Sequence, residues 1–341
     1  MLARVAIPAA SAAKPRMGHN ATFAAAVGAA LRADGRLALA QLNATNAADL
    51  CARDRQLWAC MLERLAMPFV PHTAALTAAP RALLSAYQAY WHRHLTQAPP
   101  LADNETLLLA DVNAVLATER QEAAATLSAS EPALKSIFMS QGLHALLGRT
   151  SPLLELMLWS TEETQRYPVL LAESRVDVSV VFLHGFASLG WAGYATCNRH
   201  HSGGWATDDA LYAVSQAYDR ASENFRVSYL VHEGQHVSDY RRFPGLPQGV
   251  LEYRAKLAEL CAATETIGSL LHRFGANTSV NPDLPHAFAN RLVIDNLSAS
   301  LGIERSALPD WRSFTPGQVN EAARTLLQRD SDGRVAVADR P

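Results

Sequence analysis

The chain has 341 residues, of which 49% are apolar and 18% charged, so it is long enough for two lobes with a sizeable core and is not of a disordered class. A formal charge of −2 with no Lys/Arg cluster interleaved with aromatics argues against a nucleic-acid surface. No apolar run approaches the roughly 18 residues that a membrane-spanning helix needs.

Residues 1–14 hold one Arg, a short apolar run broken by Pro8 and an Ala-Ser-Ala triplet, which only loosely resembles a secretory leader; the compartment stays open, with the cytoplasm slightly favoured over secretion. From Ala24 to Met67 the Ala/Leu spacing, with Leu50, Leu57, Met61 and Leu65, predicts helix that Pro68 closes. Further helical runs are expected over Ala82–Leu95, over Asn104–Ser128 and after Pro132 to about Leu147. Ser151-Pro152 reads as the start of another, running through Leu158. The texture changes near Glu173: Val176, Val178, Val180 and Phe182 alternate with Asp177, Ser179, Val181 and Leu183, which predicts a strand. Trp191–Asn198 and Gly204–Thr207, flanking Arg199 to Gly203, read as a hairpin. Helical periodicity returns near Asp208, and Thr315-Pro316-Gly317-Gln318 has the form of a capped helix start. The four cysteines form no CxxC pair and no dense framework, so they read as free buried thiols.

The expected fold is mainly α with a small β-sheet, an α+β arrangement. It comprises a helical N-terminal lobe over 1–170, a metal-binding catalytic lobe over 171–330 and a frayed polar tail over 331–341.

The chemistry concentrates in Tyr229-Leu-Val-His232-Glu233-Gly-Gln-His236-Val-Ser-Asp239-Tyr240. On a helix, residues four apart share a face, so His232 and His236 can offer both imidazoles to one ion at a spacing that suits zinc. Glu233 leaves the helix about 100° away, beside that ion, where a carboxylate can act as general base. Asp239 shares the face of the two histidines and is a candidate to orient one imidazole. Pro244-Gly245 ends this helix, and a second follows from Pro247 with an apolar stripe of Leu257, Leu260, Cys261, Thr264, Ile267 and Leu271. A catalytic zinc takes three protein ligands, and Glu252 or Glu259 on that second helix can be the third. Glu252 is preferred because it lies nearer the turn, which leaves Glu259 a supporting place. Arg254 and Lys256 read as surface cations. Candidate donors to a developing oxyanion are His286 and Tyr240 downstream and His200 and His201 upstream.

His232-Glu-Gly-Gln-His236-Val-Ser-Asp239-Tyr240 followed by Glu252-Tyr-Arg-Ala resembles the gluzincin metallopeptidases, with His-Glu-x-x-His, an Asp three residues on and a Glu on the next helix. The likeness covers about thirty residues, and Lys256 stands where that family has an Asp. It implies a zincin-like lobe in which His232, His236 and Glu252 hold Zn2+ and Glu233 is the general base. It also implies a peptide or protein substrate, laid against an edge strand for which the 191–207 hairpin is the candidate. Two other readings remain: a noncatalytic helical interaction protein with a coincidental or decayed motif, and a zinc hydrolase acting on a non-peptide substrate. Nothing in the chain indicates an oligomeric state.

Overall fold

Alanine and leucine at helical spacing do build the N-terminal helices. The computed structural model describes residues 4–6, 20–66, 68–73, 76–207, 210–303 and 310–338. The leader-like features of residues 1–14 lie outside the described residues apart from the backbone of a short strand, β1 (Arg4–Ala6); Met67 and Asp208 lie outside them too. Helices dominate and a small amount of sheet accompanies them, so the mainly α, α+β expectation stands. Where the sequence suggested one cut at 170/171, the chain forms two interleaved compact units: Met1–Glu163 with Phe182–Trp205, and Thr164–Val181 with Ala206–Pro341.

The first unit holds α1 (Ala21–Leu31), α2 (Gly35–Ala44), α3 (Ala52–Ala66), α4 (Ala78–Gln97), α5 (Leu101–Thr118) and α6 (Leu127–Ser140). Asn20, Asp34 and Thr126 each accept a backbone N–H in the first turn of α1, α2 and α6, satisfying donors that a helix start otherwise leaves open. The helix expected after Pro132 to about Leu147 is α6 only as far as Ser140; its last residues form β2 (His144–Thr150), and the helix expected from Ser151 is β3 (Leu153–Trp159), antiparallel to β2 across a cis Ser151–Pro152 bond. Leu153 and the run Glu155–Trp159 of β3 are buried, so its apolar run carries no alternation, and Leu and Met bias such a run towards a helical reading. β4 (Thr161–Leu170) and β5 (Arg175–His184) follow; β5 is the strand predicted from Val176 to Leu183. The short β6 (Ser188–Leu189) pairs with β3. The expected first hairpin strand is helix α7 (Gly190–Ala195), whose Trp191 and Tyr194, one turn apart, are both buried; only β7 (Gly204–Ala206) is extended there.

Cys60 and Cys197 are joined in a disulfide, which corrects the expectation of free thiols, whereas Cys51 and Cys261 are free. The bridge closes a loop of 137 residues, and loop closure of that length restricts the unfolded chain strongly. Reduction is expected to lower stability by about 2–4 kcal/mol, read as a fall in the thermal midpoint on adding a thiol reductant. An unchanged midpoint with both thiols titratable would contradict this.

Glu155 is a buried carboxylate within β3 that accepts from Thr150 Oγ1 at 2.7 Å, Trp191 N at 3.0 Å and Leu156 N at 3.2 Å. Gly190 makes room for it, since a Cβ there would lie 1.9 Å from Oε1. Burial raises the Glu155 pKa to about 7, outweighing the three hydrogen bonds that pull it down. The protonated form is therefore favoured by folding: the contribution is complete below the ordinary value of 4.5 and is lost as the pH rises through about 7. Glu155→Gln is expected to flatten the thermal midpoint between those pH values relative to the parent; parallel curves would contradict the assignment.

The second unit carries the β4–β5 hairpin, beside which runs β8 (Leu211–Val214), in the order β8-β5-β4. β8 stands where helix was expected near Asp208; Leu211, Ala213 and Val214 are buried and Tyr212 less so. Helices follow: the single turn α8 (Glu223–Phe225), α9 (His232–Arg242), α10 (Gln248–Ala262), α11 (Ile267–Ala276), α12 (Pro285–Ser300) and α13 (Pro316–Ala338). At the start of α13, Thr315 N donates to Gln318 Oε1 at 2.9 Å and Gln318 N to Thr315 Oγ1 at 3.3 Å, the reciprocal cap predicted there. The tail expected to fray from 331 is instead helix through Ala338, anchored by a buried Ser331.

Candidate metal centre

The motif helix is prepared by the residues before it. Arg226–Val231 winds as a π-helix into α9, a wider turn often found at functional sites. Every residue from His232 to His236 is buried, as are Ser238 and Asp239. Gly234 lets α9 approach the hairpin closely, since a Cβ at that position would lie 3.1 Å from Val169 Cγ1 and 3.3 Å from Val176 Cγ2. Arg241 and Arg242 complement the carbonyl end of the helix. Gly245, at φ +86°, then turns the chain, and α10 starts after Pro247.

This short connection brings Glu252 to the histidines. His232 Nε2 and His236 Nε2 face each other at 3.2 Å; Glu252 Oε2 lies 3.5 Å from His232 Nε2, and its Oε1 lies 3.5 Å from His236 Nε2. One ligand atom from each of the three buried residues falls within 4.8 Å of the others, so the group can hold a metal ion. Among the described residues it is the one such group. On the far side of the first imidazole, His232 Nδ1 is 2.7 Å from Glu259 Oε1. Glu259 thus takes the supporting place: accepting the Nδ1 proton leaves the Nε2 lone pair turned to the ion position.

The electrostatics of the group favour a cation. Burial lowers the pKa of His232, but hydrogen bonds and charge from Glu252 and Glu259 outweigh it and lift it to about 10. Burial pushes Glu252 up, yet its contacts with His232, His236 and His286 hold it well below the usual carboxylate range. Glu259 is lowered by His232 in the same way, against its burial. A proton on His232 therefore occupies the place of a positive charge that a metal ion would displace.

No family model, curated protein or solved structure matches this chain.

Glu233 is 6% exposed. Its charge acts on two tyrosines: the Tyr218 hydroxyl is raised by burial and then by Glu233, and the Tyr229 hydroxyl by burial, then by Tyr218 and last by Glu233. His286, on α12, is part of the group in an unexpected way: its Nδ1 lies 2.8 Å from Glu252 Oε2. Tyr240 is 42% exposed, with its ring centroid 6.3 Å from that of His236, and stands outside the buried group. His200 and His201 belong to the other compact unit, where His201 Nδ1 meets Ser202 O at 2.8 Å.

Asp239 corrects the sequence reading. It is fully buried, but its carboxylate accepts from Gln235 and from the Arg254 guanidinium, not from an imidazole. A guanidinium offers a fixed fork of donors that matches both carboxylate oxygens, which a single ring N–H cannot. Arg254 and Lys256 are not surface cations either: Arg254 is 0% exposed, and Lys256 is buried with its Nζ 4.8 Å from the Phe274 ring centre. Sequence reasoning missed Tyr218, Tyr229 and the His286 contact with Glu252. Only the three-residue step from Tyr229 to His232 was visible in the chain as a signal.

Proposed function

We propose that this protein is a zinc-dependent metallohydrolase, a peptidase that cleaves amide bonds with water. The observation that carries the reading is the convergence of His232 Nε2, His236 Nε2 and the Glu252 carboxylate, with Glu259 on the back of one ring. The donors suit zinc: tetrahedral ligands about 2.0–2.1 Å from an ion stand roughly 3.3 Å apart, close to the 3.2 and 3.5 Å separations of this group.

Zinc held by His232, His236 and Glu252 would polarise the scissile carbonyl and acidify the attacking water. Glu233 takes the proton from that water as its oxygen bonds the carbonyl carbon, then delivers it to the departing amine nitrogen as the C–N bond breaks. Glu259 holds His232 in the tautomer the ion requires, and His286 steadies Glu252. The Cys60–Cys197 disulfide suits an oxidising compartment.

The test is digestion of a broad peptide library, read by mass spectrometry, before and after chelation. Cleavage that stops on chelation and returns with zinc is expected. Metal-loaded protein that leaves every peptide intact contradicts the peptidase reading.

A further inference from the structure

Arg254 follows Glu252 by two positions on α10, so its side chain leaves the helix on nearly the opposite side from the metal group. There it meets three carboxylates from three separate segments. Nε and Nη2 fork onto Asp239 Oδ2 and Oδ1 at 2.9 and 3.0 Å. Nη1 donates to Asp330 Oδ2 on α13 at 2.7 Å, and Nη2 lies 3.5 Å from Glu173 Oε2 in the turn of the β4–β5 hairpin. The guanidinium carbon sits 4.9 Å from the centre of the Phe243 ring, in the turn that joins α9 to α10.

The C-terminal helix is tied in by more than one contact. Ser331 Oγ donates to Glu173 Oε2 at 2.7 Å, Arg242 Nη1 donates to the same oxygen at 2.9 Å, and Arg334 Nε donates to Asp330 Oδ2 at 2.7 Å. Asn320 Nδ2 reaches the carbonyls of Leu260 and Ala263 at the end of α10. Three arginines thus face three acidic groups, with Arg254, Asp239 and Glu173 buried and Arg242, Arg334 and Asp330 partly exposed, so the charges of the whole cluster balance.

Asp239 lies one turn beyond His236, and Arg254 half a turn beyond Glu252. The fork between them therefore fixes how far α10 can slide along α9, and with it the distance from the Glu252 carboxylate to the two imidazoles. A ligand set tolerates errors of about 0.5 Å before its geometry fails, which makes that distance decisive for metal affinity. We propose that Arg254 is a positioning residue for the His232–His236–Glu252 group and that α13, through Asp330, is part of the support that sets how tightly the group holds its ion. The proposal rests on the metal-binding reading of that group.

The test uses the full chain, the parent and the variants Asp330→Asn and Arg254→Lys, each with two measurements: zinc affinity by competition with a chromophoric chelator, and the thermal midpoint of the metal-free protein. Asp330 is on α13 and touches no ligand, so a merely structural role would lower the midpoint and leave affinity alone. The proposal expects Asp330→Asn to weaken zinc about tenfold or more with little change in the metal-free midpoint. Arg254→Lys, which keeps the charge and loses the fork, is expected to weaken it further. Should Arg254→Lys fail to fold, Asp330→Asn decides alone. Parent-like affinity in Asp330→Asn, with or without a lower midpoint, overturns the proposal while leaving the metal reading intact. A parent protein that binds no zinc overturns both.

Discussion

Glu233→Gln is expected to lower kcat/KM on a cleaved peptide by about two to four orders of magnitude while the protein keeps its metal. The substitution is nearly isosteric at a position that is 6% exposed, so packing changes little. Glu233 supplies no atom to the group of His232, His236 and Glu252, so the ion's ligands are untouched. On the proposed mechanism, what disappears is the acceptor that takes a proton from water beside that group, since an amide cannot do so at neutral pH. Tyr218 and Tyr229 cannot replace it, because burial and the Glu233 charge push their hydroxyls upward, away from ready ionisation. Kinetics and metal content measured on the same preparation separate the possibilities. A variant with more than a tenth of the parent activity, or one that has lost its metal, would contradict the assignment of the base.

For the ligands, His236→Ala is expected to abolish stoichiometric metal binding. Only His232 and Glu252 then remain, and the ion loses a third of its protein donors. Glu259→Gln gives a graded comparison. Its Oε1 contacts His232 Nδ1 at 2.7 Å without touching the ion position, so affinity should fall by only about 10- to 100-fold. Stabilisation by added zinc reports the same order, since an ion that binds only the folded chain raises the melting temperature by an amount that grows with the logarithm of its affinity. The parent should gain most, Glu259→Gln less and His236→Ala nothing. Equal zinc-induced shifts in all three would mean that the ion binds elsewhere.

The helical motif was legible because its chemistry is local. Four residues separate His232 from His236 and sixteen separate His236 from Glu252, so the helix repeat and one Pro/Gly turn suffice to bring them together. β5 was legible for the same kind of reason, its alternation being a property of neighbouring residues. Contacts made across long stretches of chain left no such trace. Arg254 finds Asp330 across 76 residues and Glu173 across 81, and Cys60 finds Cys197 across 137. Asp239 carried a signal that pointed the wrong way: its place on the histidine face fits a ring partner, but the nearby guanidinium binds it with both nitrogens of a fork. β2, β3 and α7 were misread because short apolar or aromatic runs fit helix and strand equally until their burial is known.

The most direct test is the metal content of the purified protein, together with a crystallographic anomalous map at the zinc edge. One zinc per chain is expected, within about 2.0–2.2 Å of His232 Nε2, His236 Nε2 and a Glu252 carboxylate oxygen. A zinc-supplied preparation that carries no ion, or one whose ion lies away from these three side chains, would contradict it.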